Sequence, residues 1–225
     1  MLQSPSQIVI EEWQRRVHAE YNSAILSARL LLFLKAHTNI SARFTALCKR
    51  IVQDELSHAK MGVENLLAWG VTPPYKVKEI TIPKTLEPLD NALIVILTSF
   101  ALGETFAVPI FQGMLANAQN PHAKKTLKQI VKDERMHSSF GWELLDAVLL
   151  QFGVSAHQEC QDCIVETVAQ FHHGYAGNHV NFVLAQSDLE YGLLDGLEYQ
   201  QIWLKSYREV VYQKLRQRGF SIPLI

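Results

Sequence analysis

Cysteine is scarce, with three residues in 225. Only Cys160 and Cys163 stand at C-x-x-C spacing, and with no second pair they neither make a disulfide scaffold nor complete a structural zinc or rubredoxin-type site. A reducing, cytoplasmic setting is therefore expected. Excess charge is also missing: 21 Lys and Arg face 22 Asp and Glu, which gives no polyelectrolyte signal toward nucleic acid or an anionic membrane and points to a small-molecule partner. Apolar runs such as Ala92 to Leu97 fall far short of the ~20 residues that span a bilayer. The opening stretch MLQSPSQIVIEEWQRR lacks the basic flank and long apolar segment of an export signal. The expectation is a soluble protein, neither membrane-bound nor nucleic-acid-binding. Proline is absent between Pro5 and Pro73, which leaves long stretches free to be helical.

What is present is apolar. The chain is 48% hydrophobic and 19% charged, enough for one substantial core and a single domain over residues 1–225. From about Ser6 to Ala36 apolar residues recur every three or four positions, which predicts one long helix. His37-Thr38-Asn39 interrupts it, Thr38, Asn39 or Ser41 can cap a second helix, and that helix runs to about Trp69 before Gly70. Residues 70–88 hold Pro73, Pro74, Pro83 and Pro88 and read as an extended connector. At ~3.3 Å per residue it reaches about 60 Å, enough to cross a bundle and begin a second hairpin at the same end as the first. Helix three is expected from Leu89 to about Ala118, kinked at Pro109, and helix four from Pro121 to Phe152 with Gly153 after its end. A fifth helix beyond Ser155, loosened by Gly174 and Gly177, and another from about Leu193 to Arg218 complete an all-α reading. The bundle occupies about residues 6–152 and a C-terminal helical extension about 155–218.

Two copies of D-E-x-x-H carry the chemistry: Asp54-Glu55-Leu56-Ser57-His58 and Asp133-Glu134-Arg135-Met136-His137, one in the second helix of each hairpin. E-x-x-H alone is common in a chain this rich in Glu and His; the preceding Asp makes chance repetition rare. Residues three apart share a helix face, so each Glu and His can point into one interior space. Glu20 and Glu104, each in a largely apolar stretch of a first helix, supply the other half. The midpoint between Glu20 and Glu55 falls at the His37-Thr38 break, and that between Glu104 and Glu134 falls between Asn117 and Pro121. Both pairs are therefore level, and all six side chains fall in one layer. Four buried carboxylates repel and are costly to desolvate unless protonated or compensated. Two divalent cations would neutralise them, and carboxylate-rich ligation with imidazole suits iron(II) or manganese(II) better than tetrahedral zinc. The ligand set is Glu20, Glu55, His58, Glu104, Glu134 and His137.

On these motifs the chain resembles the ferritin-like di-iron carboxylate proteins over residues ~10–152, with every ligand position of the pattern filled. The resemblance implies a four-helix bundle of two hairpins joined by a long crossover, holding two iron ions or a manganese-iron pair, with O2 as co-substrate. It also implies that Asp54 hydrogen-bonds His137 and Asp133 hydrogen-bonds His58 across a pseudo-twofold axis. Some relatives recruit one more histidine four residues before the Glu of the second E-x-x-H, where Ile130 stands here; His172, His173 and His179 are the remaining candidates for a seventh ligand.

Departures from the family narrow the role. About 70 residues follow helix four, unlike the shorter storage ferritins; the two C-x-x-C pairs of rubrerythrin-type peroxidases are missing; and Gly62 stands where radical-generating reductase subunits carry tyrosine. The expectation that remains is an oxygenase or oxidase acting on a small organic molecule. It would take electrons from a donor such as a ferredoxin or reductase, and a homodimer is compatible with it. Its C-terminal helices would shape the substrate pocket. The alternatives are a peroxide-reducing or ferroxidase protein with no organic substrate, and a bundle that stores or senses metal.

Overall fold

The computed structural model describes residues 4–37, 39–72, 92–177 and 183–225; the proline-rich connector from residue 73 onward, the start proposed for helix three at Leu89, Thr38 and His179 lie outside them. Helix α1 spans Gln7–His37. Val9, Trp13, Val17, Glu20, Ala24, Ala28, Leu31 and Leu34 form its buried stripe at helical spacing. Of the three cap candidates, Ser41 is the one used: its hydroxyl accepts a hydrogen bond from the Arg43 amide at 3.3 Å as α2, Ala42–Ala68, begins. Gly70, at φ 76°, ends that helix in the left-handed region, and the Val71 amide turns back to the Leu66 carbonyl at 2.9 Å.

Helix α3, Ala92–Asn117, opens with one α-turn and passes through a π-helical stretch, Ile96–Gly103, before regular α-helix resumes at Glu104. The departure from α geometry falls there, while Glu104–Asn117 is helical through Pro109, where the sequence predicted a kink. A π-stretch is marked by hydrogen-bond register and not by composition, so the sequence gives no warning of it. Only Glu104 is charged in α3, and the helix is long and apolar enough by length and composition to cross a membrane. The short-run reading missed this because Thr98, Ser99, Gly103 and Glu104 interrupt the apolar residues. In this structure 56% of its most apolar window is buried inside the protein.

Helix α4, Pro121–His172, starts at an Asn120 cap whose Oδ1 accepts from His122 and Ala123 amides at 3.0 and 3.2 Å. Gly153, at φ 69° and ψ −144°, breaks it where the sequence placed an end. No loop separates the halves: helix resumes directly and passes into a π-turn at His173–Gly177. Short α5, Gln186–Leu189, then α6, Gly196–Ser206, a π-turn at Tyr207–Val211 and α7, Tyr212–Gln217, complete the chain.

Antiparallel register between α2 and α4 is fixed by Asp54 against His137, His58 against Asp133 and Asn65 against Thr126: each step up in one chain number is a step down in the other. The α3–α4 turn sits by the end of α2, since Gln119 and Asn120 amides donate to the Glu190 carbonyl and Tyr191 packs edge-on against Trp69. At the other end Phe44, in the first turn of α2, packs on Phe140, which meets Phe100 of α3. The second hairpin therefore starts beside the turn of the first, so α2 ends at one end of the bundle and α3 begins toward the other, the long crossover expected from the sequence. Connector length allows either arrangement. This one makes α1 and α3 antiparallel, with Arg16 against Met114 and Phe111.

Helices α6 and α7 pack beside α3 and the second half of α4. Trp203 stacks on Phe106 and Tyr207, His157 stacks on Phe220, and Arg218 grips Asp146 with two bonds of 2.6 and 2.7 Å. Each fully buried large apolar side chain contributes about 1.5–3 kcal/mol, and the aliphatic and aromatic core on both sides of the Glu20 layer is what supports so polar a layer.

Candidate metal centre

Glu20 comes from α1, Glu55 and His58 from α2, Glu104 from the first α-helical turn after the π-stretch of α3, and Glu134 and His137 from α4. None is more than 9% exposed. Their ligand atoms form two groups, each with all atoms within 4.8 Å of one another: Glu20, Glu55, His58 and Glu134 in one, Glu55, Glu104, Glu134 and His137 in the other. Glu55 and Glu134 belong to both. The E-x-x-H carboxylates thus stand between two positions, each flanked by one outer carboxylate and one imidazole.

Each imidazole is held from behind. His58 Nε2 lies 3.1 Å from Asp133 Oδ2, and His137 Nε2 lies 3.4 Å from Asp54 Oδ2. Gln129 donates to the same Asp133 oxygen at 2.6 Å. With Nε2–H directed at a carboxylate, each Nδ1 faces the layer and in the neutral imidazole offers its lone pair there. His58 Nδ1 is 3.4 Å from Glu20 and His137 Nδ1 is 3.3 Å from Glu55, without hydrogen-bond alignment. These two atoms and Glu134 Oε2 are buried polar atoms with no partner. Orphaned buried acceptors are rare in folded proteins. Three of them converging on one space fit a cation-binding role.

Without cations, protons must compensate the charge. Burial pushes the Glu20 carboxyl up to about 8, against the counter-pull of His58. Burial, reinforced by the charge of Glu134, lifts Glu104 well above the ordinary carboxylate range. Burial alone would lower His58, but Glu20 and Glu55 overcome it and raise its value to about 11. His137 is likewise raised, against burial, by Asp54, Glu134 and Glu55. Glu55 is held below its ordinary value, against burial, by the neighbouring imidazoles of His137 and His58. The layer is balanced when two outer carboxyls and two imidazoles hold protons, a charge that two divalent cations could replace.

Behind the layer, α3 and α4 approach until a Cβ on Gly141 would lie 2.1 Å from the Phe100 carbonyl oxygen. The π-stretch of α3 rests directly on that glycine, one turn beyond His137. Thr105 donates to the Ala101 carbonyl at 2.6 Å, meets Ser138 at 2.9 Å and accepts from Trp142 Nε1 at 2.7 Å. Gly62, in α2, is also closely packed, with Val17 Cγ2 2.7 Å from an added Cβ.

The chain is similar to a solved Synechococcus structure titled "Protein 19 with aldehyde deformylating oxidase activity", with a TM-score of 0.60, 17% identity, and coverage of 98% of this chain and 95% of that one. The fold is ferritin-like. No family model and no curated protein sequence matches the chain. Among ferritin-like features expected from sequence, the bundle and the convergence of six side chains are present. His172 and His173 belong to neither ligand group; His172 packs beside Trp203. Residues the sequence did not single out include Gln129, which donates to Asp133, Thr105 at the α3–α4 contact, and Arg16 one turn before Glu20. For Gln129 and Arg16 the only available signal was spacing of four from Asp133 and Glu20.

Proposed function

We propose that this ferritin-like chain is a di-metal oxygenase or oxidase. It would hold two iron ions, or manganese and iron, on Glu20, Glu55, His58, Glu104, Glu134 and His137, and use O2 to oxidise a small organic substrate. The observation that supports it best is the pair of overlapping buried groups sharing Glu55 and Glu134, with three donor atoms left without protein partners. The aldehyde deformylating oxidase activity of the Synechococcus neighbour points the same way. When bound, the metals would supply redox electrons and Lewis acidity. The protein's own residues position and exclude. Asp54 and Asp133 fix the imidazole tautomers, the outer carboxyls of Glu20 and Glu104 give up protons as cations enter, and the aliphatic layers on either side keep bulk water out. Electrons would come from a reductase or ferredoxin-type donor.

Elemental analysis of protein purified from iron-supplied cells, beside a Glu134→Ala/His137→Ala variant, tests the centre. Near two ions per chain with clear loss in the variant supports it, and a folded wild type that takes up no iron(II) anaerobically overturns it. Oxygen consumption with excess reductant then separates roles: sustained turnover is expected of an oxygenase given substrate, whereas a storage site stops after one oxidation.

A further inference from the structure

Between the N-terminal turns of α1 and the C-terminal segment lies a cavity of about 490 Å³. Ile8, Leu184, Leu193 and Leu194 give it apolar walls, Tyr175 and Tyr199 line it, and Glu12 and Arg15 pair at its rim, 2.7 Å apart. Its volume is that of a site for a small organic ligand. The cavity reaches Arg16 through Met114, which lines it and touches the guanidinium.

Arg16 is the unusual residue. It is 6% exposed, its Nη1 has no hydrogen-bond partner, and its Nη2 meets only the sulfur of Met114, a wall of the cavity, at 3.0 Å. No carboxylate among the described residues pairs with it. A guanidinium is charged at every accessible pH, and burying it without an anion is costly. The Trp13 ring at 4.3 Å and the Phe111 ring at 5.7 Å offset only part of that cost. A flexible Met114 side chain can yield to a ligand.

We propose that this cavity binds a small amphiphile carrying a single carboxylate, whose acid group pairs with Arg16 after displacing Met114 and whose apolar body lies along Leu184, Leu193 and Leu194. One buried positive charge calls for one negative charge, and the Glu11 and Glu12 carboxylates near the rim disfavour a dianion such as a phosphate ester. Four residues, one helical turn or ~6 Å, separate Arg16 from Glu20. A carboxylate on Arg16 thus lies about one helical turn from the level of Glu20. This deepens the oxygenase reading by naming its substrate class.

The test uses the full-length metal-free protein, so that it is independent of whether metal binds. Octanoate and 1-octanol are titrated by calorimetry. Octanoate should bind, and bind more tightly than octanol. Arg16→Met should cost octanoate about 10- to 100-fold, the worth of a charge-assisted hydrogen-bond pair, and leave octanol unchanged. Should Arg16→Met not fold, Arg16→Lys replaces it, with a smaller loss expected because the ammonium lacks the planar fork. Absence of octanoate binding, equal binding of acid and alcohol, or undiminished octanoate binding in the folded variant overturns the proposal. Failure of metal uptake, measured separately, would instead remove the oxygenase reading and leave the carboxylate site standing.

Discussion

Sharing of Glu55 and Glu134 makes the six ligands unequal, and the inequality can be measured. Glu104 belongs to one group only, whereas Glu134 belongs to both. Glu104 also holds its proton in the metal-free protein, within hydrogen-bonding influence of Glu134. Glutamine nearly reproduces that protonated side chain in shape and can donate in its place, so Glu104→Gln should leave the melting temperature of chelator-treated protein unchanged or slightly higher. Metal changes the comparison. At a free metal concentration about 100 times the dissociation constant, each filled site adds ~2.7 kcal/mol to stability. A chain of this size gains about 2–4 °C in Tm per kcal/mol, so two sites should raise the wild type by roughly 10–20 °C. Glu104→Gln should retain about half of that rise and near one ion per chain. Glu134→Gln, which weakens both positions, should retain almost none. The assay is differential scanning calorimetry with and without manganese(II), alongside elemental analysis. Equal losses in the two variants would refute the shared arrangement. A Glu104→Gln protein that melts several degrees lower without metal would show that Glu104 serves as an ionised structural partner.

Other expectations follow from the same geometry. Asp133→Ala removes the carboxylate behind His58 and should weaken metal binding by about 10- to 100-fold without unfolding the chain; a metal titration with unchanged affinity would contradict the orienting role. In metal-free protein Glu20 keeps its proton to about pH 8 although an ordinary carboxyl loses it near 4.5. The folded state then binds more protons than the unfolded state across that interval, and stability falls as pH rises through it. His58, raised to about 11 from 6.5, has the same sign, contributing fully below 6.5 and losing its contribution as pH climbs above that. Chelated protein should therefore melt lower at about pH 8 than at about pH 5.5, while the increment from metal grows over the same span because protons compete for the ligands; parallel curves would rule this out. Gly141→Ala should shift the denaturant midpoint further than Gly62→Ala, since the first meets backbone oxygen at 2.1 Å and the second only a Val17 methyl at 2.7 Å. Costs of about 1–3 kcal/mol are typical of overpacking, with Gly141 at or above the top of that range.

Much of this protein was determined locally. The two D-E-x-x-H repeats, their turn-centred pairing with Glu20 and Glu104, Ser41 among the cap candidates for α2 and the interruption at Gly153 are legible in the chain because helical periodicity and capping depend on residues within a few positions of one another. Tertiary structure decided what depends on distant partners. The direction of the second hairpin was open because the connector is long enough for either choice, and contacts such as Phe44 with Phe140 and Trp69 with Tyr191 fix it. The π-stretch before Glu104 is fitted against Gly141 of another helix, so no pattern within α3 could announce it. The division into shared and outer carboxylates, and the isolation of Arg16 beside the C-terminal cavity, arise only when four helices and a following segment converge: burial and charge are properties of the assembled layer, not of any one stretch of chain.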